Sequence, residues 1–553
     1  MTSARRKAQT LVKRPDCSRG PARGGQRRGR GSEKEKACEM MNRNGRELEI
    51  KLSTDLPGLQ AAFESPVLGG PPGKGPGARS LVSTYFDTPD RALNKRRIAL
   101  RVRRAGRAAP LIGVKWPPNS NMQAFSRGEI EVRGRSGALD LTLLGEDIAV
   151  ELSEIIGDRA LEPHFETRIK RRTRLVAAGT ARIEIAFDDG EIVAGDRRAR
   201  VTEVELELKS GDASELYDFA ARAVEALPFR LDVTSKSERG FRLVKGTLAA
   251  PAKALDPIFS PGATIDDAIA SVLGNTLAHF LANLAPLRES DDPEAIHQLR
   301  VALRRMRAAL GMFKRIMPCV EFDAFRAEAK RMATAFGPAR ECDAFSDLLA
   351  GGPRRASADG AVFAGIDTAL SSRRQSLYAE ARQLIDAKET TIFALRLQAF
   401  LTRRGWRNAV DGQLADLTAP VTQFSSQTLE RLRKRAVRRG RKLVLLPDDE
   451  RHQVRIAIKN LRYAAEFFGG LYEDSGSCRA YVRTVARLQD ILGAHNDAAN
   501  AQSLLDGLGA RAEAGTAFAA GVVLGWCARD AEIAETELGE AWRRFKRLDP
   551  FWG

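Results

Sequence analysis

The chain has 553 residues and a mass of 60.5 kDa, which exceeds the size of one ordinary domain and predicts at least two. Apolar residues make up 43% of the sequence, a proportion that excludes a chain disordered throughout. Lys and Arg number 89 against 71 Asp and Glu, and the net charge of +18 favours a polyanionic partner such as nucleic acid, polyphosphate or anionic lipid.

The cysteines and the apolar runs indicate a cytoplasmic protein. The six cysteines are scattered and none has CxxC spacing, so neither a zinc site nor a disulfide framework is expected. The basic N-terminus lacks the apolar segment of a signal peptide. The most apolar run near the C-terminus, from Phe518 to Trp526, is shorter than the ~20 residues that span a bilayer and predicts a buried helix.

Residues 1–44 form an Arg- and Gly-rich segment with few large apolar side chains. Residues 1–39 contain 12 basic and 4 acidic residues, which gives this part a charge of +8. This composition predicts disorder, because it cannot bury enough apolar surface to offset chain entropy. Three interpretations stay open: an inert tail, a basic arm that binds nucleic acid, and a translation start at Met40 or Met41.

Residues 45–248 carry the alternating pattern of β-strands. Apolar and polar residues alternate with period two in five segments, so that each strand has one polar and one apolar face. The segments are residues 46–52, 99–103, 128–133, 181–188 and 201–209. Such strands predict an antiparallel sheet.

The polar faces of these strands carry charges of both signs. The charged residues that share a face within one strand are Glu47, Glu49 and Lys51, then Arg101 and Arg103, and then Glu203, Glu205, Glu207 and Lys209. Either this side of the sheet lies in water, or the sheet closes into a barrel with the charges inside. Inside a barrel, carboxylates would suit Mg²⁺ or Mn²⁺, while Arg and Lys would suit phosphate oxygens.

The ordered set of motifs in this half resembles the CYTH domain, the triphosphate tunnel metalloenzyme family that includes inorganic and thiamine triphosphatases and a class of adenylyl cyclases. The motifs are ExExK at 47–51, YFDTPD at 85–90, ALRVR at 99–103, VKW at 114–116, RGEIE at 127–131, FETRIKR at 165–171, IEIAFDDGEIVAG at 183–195, EVELELKSG at 203–211 and TSKSERGF at 234–241. The resemblance implies a closed antiparallel β tunnel that binds a linear triphosphate with Mg²⁺ or Mn²⁺.

The same resemblance implies roles for individual tunnel residues. The implied metal ligands are Glu47, Glu49, Asp188, Glu205 and Glu207. The implied phosphate contacts are Lys51, Arg101, Arg103, Lys115, Arg171 and Lys236, and the implied catalytic set is Glu47, Glu49, Lys51 and Lys115. Arg171 is preferred to Arg168 because of its spacing to Leu175 and Val176. Glu129 and Glu131 are expected to face the tunnel with no assigned role.

The second half of the chain predicts helices. Residues 249–261 are rich in Pro and Ala and predict a linker. From residue 262 to 553, apolar residues recur at spacings of three and four, which predicts an all-α bundle. The expected fold class is therefore α+β, with an N-terminal antiparallel β barrel and a separate C-terminal helical bundle.

Two helical segments of this half repeat one pattern, with His, then cations three, seven and ten residues later. The two basic stripes are His297, Arg300, Arg304 and Arg307, and His452, Arg455, Lys459 and Arg462. The four positions of each stripe fall within about 80° of a helix circumference. Like charges so close are unfavourable without an anion, so the repeat favours an anion-binding surface over a solvated face.

This repeat resembles the CHAD domain, the conserved histidine α-helical domain, over about residues 262–550. The turns GPARECD at 337–343 and LGAHND at 492–497 resemble the two turns of that family, although Glu341 and Cys342 depart from its pattern. The resemblance implies a pseudo-symmetric bundle that binds inorganic polyphosphate. The basic run from Arg431 to Lys442 either extends that surface or lies on an exposed helix.

We therefore expect a cytoplasmic enzyme that hydrolyses inorganic triphosphate to pyrophosphate and phosphate. Its helical half is expected to bind polyphosphate, either to tether the enzyme to polyphosphate granules or to present chain ends. One alternative is an organic substrate: thiamine triphosphate, a nucleoside triphosphate or, for a cyclase, ATP. The other alternative is a non-catalytic polyphosphate-binding protein. Nucleic acid is a weaker candidate ligand, because the basic stripes have no interleaved aromatic residues.

Overall fold

The computed structural model describes residues 45–69, 77–117, 125–135, 139–357, 360–409, 414–472, 475–510 and 514–553. The predicted tail at residues 1–44 lies outside this described part. The chain divides into two compact units, one of residues up to Ala249 together with Ala394–Ala399, and one of the remaining residues from Ala250 to Gly553.

The described residues of the first unit contain nine strands: β1 (Arg46–Ser53), β2 (Arg79–Asp87), β3 (Ala99–Ala105), β4 (Leu111–Trp116), β5 (Ser126–Arg133), β6 (Glu162–Ala178), β7 (Ala181–Ala194), β8 (Arg197–Ser210) and β9 (Arg230–Leu231). Its helices are α1 (Leu56–Glu64), α2 (Ala92–Lys95), α3 (Glu146–Ile156), α4 (Ala213–Ala226) and α5 (Lys236–Lys245).

The strands β1 to β8 close into an antiparallel barrel. The hydrogen-bonded order is β5-β4-β3-β2-β6-β7-β8-β1, and β1 pairs with β5 to complete the ring, while β9 adds to β1. On β1, Glu49 lies opposite Glu207 and Lys51 lies opposite Glu205 of β8. The predicted antiparallel barrel is confirmed.

The period-two pattern determines which face of the barrel is the interior. Ile50 and Leu52 of β1 are fully buried, as are Leu206 and Val204 of β8, and α4 packs over these strands. A second apolar cluster joins α3 to β3, β4 and β5 through residues such as Leu152. Because the apolar faces lie under the helices outside the barrel, the charged faces point into it.

The second unit is helical. Its helices are α6 (Ile265–Ala282), α7 (Leu284–Glu289), α8 (Pro293–Phe313), α9 (Val320–Ala335), α10 (Gly337–Gly351), α11 (Pro353–Ala356), α12 (Ala364–Asp386), α13 (Lys388–Thr402), α14 (Leu414–Leu417), α15 (Val421–Arg439), α16 (Asp448–Phe468), α17 (Ser475–Ile491), α18 (Ala494–Gly507) and α19 (Ala514–Arg547). The predicted helical bundle after the barrel is confirmed.

The predicted linker contains an extended strap that is hydrogen-bonded along α6. Side chains spaced by four residues on α6 bond to backbone atoms of the strap, Ala252–Ile258. Ser271 Oγ donates to Ile258 O at 2.9 Å, Asn275 Nδ2 donates to Leu255 O at 3.0 Å, and His279 Nε2 lies 3.1 Å from Ala252 O. The strap is therefore fixed to the helical unit.

One helical stretch in the described part of the chain, Ile265–Glu289, is long and apolar enough to cross a membrane. Its most apolar window is 83% buried inside the protein, which is also typical of the core helix of a bundle.

Candidate functional site

The interior of the barrel holds buried side chains of both charges. The side chains of Glu47, Glu49 and Lys51 on β1 are exposed by only 8–10%. Asp188 of β7 and Glu203 of β8 are almost fully buried. Burying ionised groups is costly unless they are paired, and each of these charges has an opposite partner nearby.

One cluster of charges joins β1, β3, β4 and β5. Lys115 Nζ lies 2.5 Å from Glu47 Oε2, 3.2 Å from Glu129 Oε2 and 3.8 Å from Glu49 Oε2. Arg101 Nη2 lies 2.9 Å from Glu129 Oε1 and 3.2 Å from Glu131 Oε1. This arrangement gives Glu129 and Glu131 a definite position, as partners of the predicted phosphate-binding cations.

A second cluster joins β6, β7, β8 and the start of α5. Arg171 binds both oxygens of Asp188 at 2.6 Å and Glu205 Oε2 at 2.5 Å. Lys236 Nζ lies within 2.7 Å of Asp188, Glu203 and Glu205. Its position at the first residue of α5, after the cap Ser235, places the ammonium group inside the barrel.

Three carboxylates of the second cluster can share a metal ion. One oxygen from each of Asp188, Glu203 and Glu205 lies within 4.8 Å of the others. Hard oxygen ligands of this kind suit Mg²⁺ or Mn²⁺. Asp188 and Glu205 were predicted from the sequence; Glu203 was not, although it shares the polar face of β8 with Glu205.

The other predicted metal ligands lie outside this group of three. Glu47 and Glu49 pair with Lys115 and Lys51 on the β1 side of the interior. Glu207 pairs with Lys209 at 2.7 Å and lies opposite Glu184 of β7, further along the strand and more exposed to solvent. The metal-ligand roles of these three residues stay predictions.

The shared interior shifts the carboxyl pKa values in opposite directions. Burial and the nearby Glu205 raise the pKa of Glu49, and burial likewise raises the pKa of Glu203. Burial would also raise the pKa of Glu205, but Lys236, Arg171 and Lys51 lower it well below its usual value. Nearby cations thus favour the ionised form of Glu205, and a metal ion bound there would act in the same direction.

Two arginines that the sequence places three residues apart on β6 occupy different surroundings. Arg171 lies opposite Asp188 and points into the barrel. Arg168 is 49% exposed and pairs with Glu166 outside the barrel. The assignment of a phosphate contact to Arg171 stays a prediction. Arg103 reaches the interior and lies 3.5 Å from Glu131.

Arg239, which was not predicted from the sequence, lies 3.1 Å from Glu203 and follows Lys236 by three residues on α5.

A small pocket lies at the β1 side of the interior. Its lining residues are Glu47, Glu49, Lys51, Phe125, Arg127, Asp232 and Val233. Arg127 donates to the backbone carbonyl of Val233 at 3.2 Å, which fixes one wall of this pocket.

In the helical unit, the two basic stripes lie on α8 and α16, which pack against each other. Lys459 of one stripe is surrounded by Arg304 and Arg307 of the other and by Arg455 and Arg462 of its own. Burial and these arginines lower the pKa of Lys459 to about 8. The stripes therefore lie side by side and form one cationic surface.

Each stripe also contacts a glycine turn in the same way. A Cβ atom at Gly337 would lie 3.1 Å from Arg300 Nη1, and one at Gly493 would lie 3.3 Å from Arg455 Nη2. Arg300 donates to Ala333 O at 2.6 Å. Glycine in both turns thus lets a stripe arginine approach the backbone, which agrees with an internal repeat. Of the predicted second turn, the side chains of residues 495–497 lie outside the described part.

The first turn has a structural anchor. Asp343 is almost fully buried, and its oxygens accept hydrogen bonds from Arg374 Nε at 2.7 Å and Tyr378 Oη at 2.8 Å. Arg374 also packs over the Tyr378 ring, 4.1 Å from its centroid. Asp343 therefore fixes α10 to α12, while Arg340 lies close enough to His297 to lower its pKa after the larger effect of burial.

Comparison with known proteins identifies both units. Residues 45–241 match the CYTH domain and residues 271–506 match the CHAD domain. The chain is 32% identical over 168 residues to the inorganic triphosphatase of Haemophilus influenzae, which is 30% of this chain and 46% of that protein. The matched region thus spans about half the length of this relative.

Solved structures similar to each unit include two from plants. The CHAD domain from Ricinus communis is 28% identical, with 54% of this chain and 98% of that chain covered and a TM-score of 0.47. A Hippeastrum protein described as a "putative adenylyl cyclase" with a dominant triphosphatase activity is 18% identical, with 36% and 97% covered and a TM-score of 0.26. The family matches show that this chain contains a CYTH domain followed by a CHAD domain.

Proposed function

We propose that the barrel hydrolyses inorganic triphosphate to pyrophosphate and phosphate with Mg²⁺ or Mn²⁺, and that the helical unit binds inorganic polyphosphate. The observation that carries the first part is the group of Asp188, Glu203 and Glu205, flanked by Arg171 and Lys236 inside a closed barrel. The relative from Haemophilus influenzae, an inorganic triphosphatase, supports the choice of substrate.

The cations of the interior would neutralise the phosphate oxygens. A linear triphosphate carries several negative charges, and hydrolysis requires them to be offset while water approaches the terminal phosphorus in line. Lys115, Arg101 and Arg103 on one side and Arg171 and Lys236 on the other would exchange carboxylate partners for phosphate oxygens. Arginine offers a fork of donors that matches such oxygens.

The carboxylates would hold the metal and keep the cations in place before substrate arrives. A divalent ion bound there would supply charge neutralisation and an activated water. Asp188, Glu203 and Glu205 are the residues that would hold it, with Glu47 and Glu49 across the interior as further ligands. Glu129 and Glu131 would then keep Lys115 and Arg101 oriented toward the phosphates.

The polyphosphate part of the proposal rests on the paired stripes of α8 and α16. Lys459, a partly buried cation among four arginines, is costly in the absence of an anion. A phosphate chain along both stripes would relieve that repulsion, and its attraction would depend on salt. We propose that this binding occurs in the cytoplasm and tethers the enzyme to polyphosphate granules.

A substrate panel tests the enzymatic proposal. Phosphate release is measured from inorganic triphosphate, thiamine triphosphate, ATP and long-chain polyphosphate, each with Mg²⁺, with Mn²⁺ and with EDTA. We expect the highest kcat/KM for inorganic triphosphate and no turnover in EDTA. A higher kcat/KM for an organic triphosphate would contradict the proposed substrate, and cyclic AMP formed from ATP would indicate a cyclase.

A further inference from the structure

The basic run of α15 contains residues with two kinds of surroundings. Some of its cations bind parts of the same unit: Arg433 donates to backbone carbonyls of Lys546 and Leu548, Lys434 pairs with Glu430, and Arg439 donates to Gln453. These contacts are internal and account for only part of the positive charge on the helix.

Four other arginines have no such contacts. Arg431, Arg435 and Arg438 follow each other at spacings of four and three on α15, so they share one face. Arg315, which follows the end of α8, lies beside them. Among the residues that the structure describes, none of the four side chains forms a hydrogen bond or an ion pair. We call these four residues the α15 arginine patch.

The electrostatic surroundings of this patch are cationic. After the effect of burial, Arg315 and Arg435 lower the pKa of Arg431. Burial and then Arg439, Arg315 and Arg438 lower the pKa of Arg435. For these two residues, no carboxylate in the described part of the chain offsets the repulsion. A cluster of like charges without counterions is a binding surface for an external anion.

The patch is separate from the two stripes but belongs to the same unit. The charged residues that lower the pKa of Lys459 are all stripe arginines, and none of these arginines lowers the pKa of Arg431 or Arg435. α15 packs directly against α16, which carries the second stripe. Arg307 lies six residues before the end of α8, about 9 Å at helical rise, and Arg315 follows that end by two residues.

The geometry favours a phosphate chain as the ligand. The row from Arg431 to Arg438 is about 10 Å long, so it can follow several successive phosphates. Residues 430–442 contain no aromatic side chain on which a base could stack, whereas proteins that bind single-stranded nucleic acid usually provide one. Guanidinium groups bind phosphate oxygens without any need for a base.

We propose that the α15 arginine patch is a second phosphate-chain surface of the helical unit, and that one long polyphosphate molecule binds the patch and the two stripes together. This inference rests on the proposed binding of polyphosphate by the stripes. Its consequence is a preference for chain length, because a chain that reaches both surfaces gains avidity over a chain that reaches one.

The test compares matched variants of the full-length protein, in EDTA so that no hydrolysis occurs. The patch variant is Arg431→Ala with Arg435→Ala. The control is Arg331→Ala with Arg487→Ala, which removes the same charge from two exposed residues that have carboxylate partners and lie outside α15. The stripe variant is Arg300→Glu with Arg455→Glu. The probes are long-chain polyphosphate, pyrophosphate and a single-stranded DNA oligonucleotide.

We expect the patch variant to bind long-chain polyphosphate at least about tenfold more weakly than the control does. Its salt dependence should flatten by about 1.4 in the slope of log affinity against log salt, the value for two lost phosphate contacts. Pyrophosphate, which is too short to bridge the two surfaces, should bind the patch variant and the control equally.

Three results would overturn the inference. They are equal binding of long chains by the patch variant and the control, an equal loss for pyrophosphate and long chains, and a loss confined to the DNA oligonucleotide. The stripe variant distinguishes a failure of this inference from a failure of the proposed polyphosphate binding by the stripes. If reversal of the stripe charges leaves binding of long-chain polyphosphate unchanged, the proposal for the stripes itself fails.

Discussion

Lys115 Nζ on β4 lies 2.5 Å from Glu47 Oε2 on β1, a contact between residues that are 68 positions apart in the chain. β5 stands between these two strands in the ring, so the contact forms only because the barrel is closed. Burial alone would lower the pKa of Lys115, but Glu49 and Glu47 raise it above its usual value. Lys115 is therefore a fixed cation at the centre of the proposed triphosphate site.

Lys115→Met should lower kcat/KM for inorganic triphosphate by about 10²-fold, the usual cost of losing one group that stabilises developing charge. The substitution keeps the length of the side chain but leaves Glu47 and Glu129 without this partner. Steady-state kinetics measures the effect, and Lys209→Met is the control, because Lys209 pairs with Glu207 nearer to solvent. Equal losses in both variants would contradict the central position of Lys115.

Glu203→Gln should weaken Mn²⁺ binding by at least about tenfold, whereas Glu207→Gln should change it little. The reason is geometric: Glu203 belongs to the group of three carboxylates within 4.8 Å, while Glu207 pairs with Lys209. Titration of each variant with Mn²⁺, monitored by calorimetry or electron paramagnetic resonance, measures the Mn²⁺ affinity directly. A larger loss of Mn²⁺ affinity in Glu207→Gln than in Glu203→Gln would contradict this placement of the metal and favour Glu207, a ligand expected from the sequence, over Glu203.

Polyphosphate binding should depend on pH in two separate windows. The pKa of Lys459, lowered to about 8 by burial and by Arg304, rises when a polyanion binds, so binding takes up a proton. Affinity should therefore strengthen as pH falls from 10.5 toward 8. Burial and neighbouring arginines lower the pKa of His297 below 6.5, so a second gain is expected at acidic pH.

Substitutions assign each window to its residue. Lys459→Arg should abolish the dependence above pH 8, because arginine stays charged there. His297→Ala with His452→Ala should remove part of the acidic gain and leave the alkaline window intact. Polyphosphate affinity measured across pH at constant ionic strength checks both predictions. The same pH profile of affinity in the wild type and all variants would contradict the assignment of the windows to Lys459 and the two histidines.

Asn275→Ala should loosen the strap on α6. Asn275 Nδ2 donates to Leu255 O at 3.0 Å, and loss of such a bond costs about 1 kcal/mol. Hydrogen exchange followed by mass spectrometry should show faster exchange of the amides of residues 252–258. Asn500→Ala, at an exposed position of α18, is the control and should leave this exchange unchanged.

The barrel could be predicted because the period-two pattern of each strand is a local property of the sequence. A sheet with one charged and one apolar face can bury both only if it closes into a barrel and helices cover its outer face. The sequence did not identify Glu203 as a metal ligand. Charged residues occupy every second position of β8 from Glu203 to Lys209, and only the register with β7 shows that Glu203 lies opposite Asp188. Register is set by pairing across the sheet, which single-strand periodicity does not contain.

The strap shows a second kind of limit. Its partners are side chains at a spacing of four, Ser271, Asn275 and His279 on α6 and Asn283 directly after its end, and that polar row is visible in the sequence. The acceptors are backbone carbonyls of residues 252, 255 and 258, which leave no side-chain pattern, so the segment was predicted only as a linker. The repeated basic stripes were identified because their residue types recur at identical spacing.

Turnover of inorganic triphosphate by Glu47→Gln and Glu49→Gln is the most direct measurement of the central claim, that the charged interior of the barrel is a metal-dependent triphosphatase site. Each substitution removes a carboxylate charge from the buried face of β1 while keeping its shape. At saturating Mg²⁺ or Mn²⁺ we expect kcat to fall by at least about 10²-fold in each, with a wild-type rate for Glu191→Gln, whose side chain pairs with Arg198 away from the interior. Unchanged turnover in the β1 variants would contradict the claim.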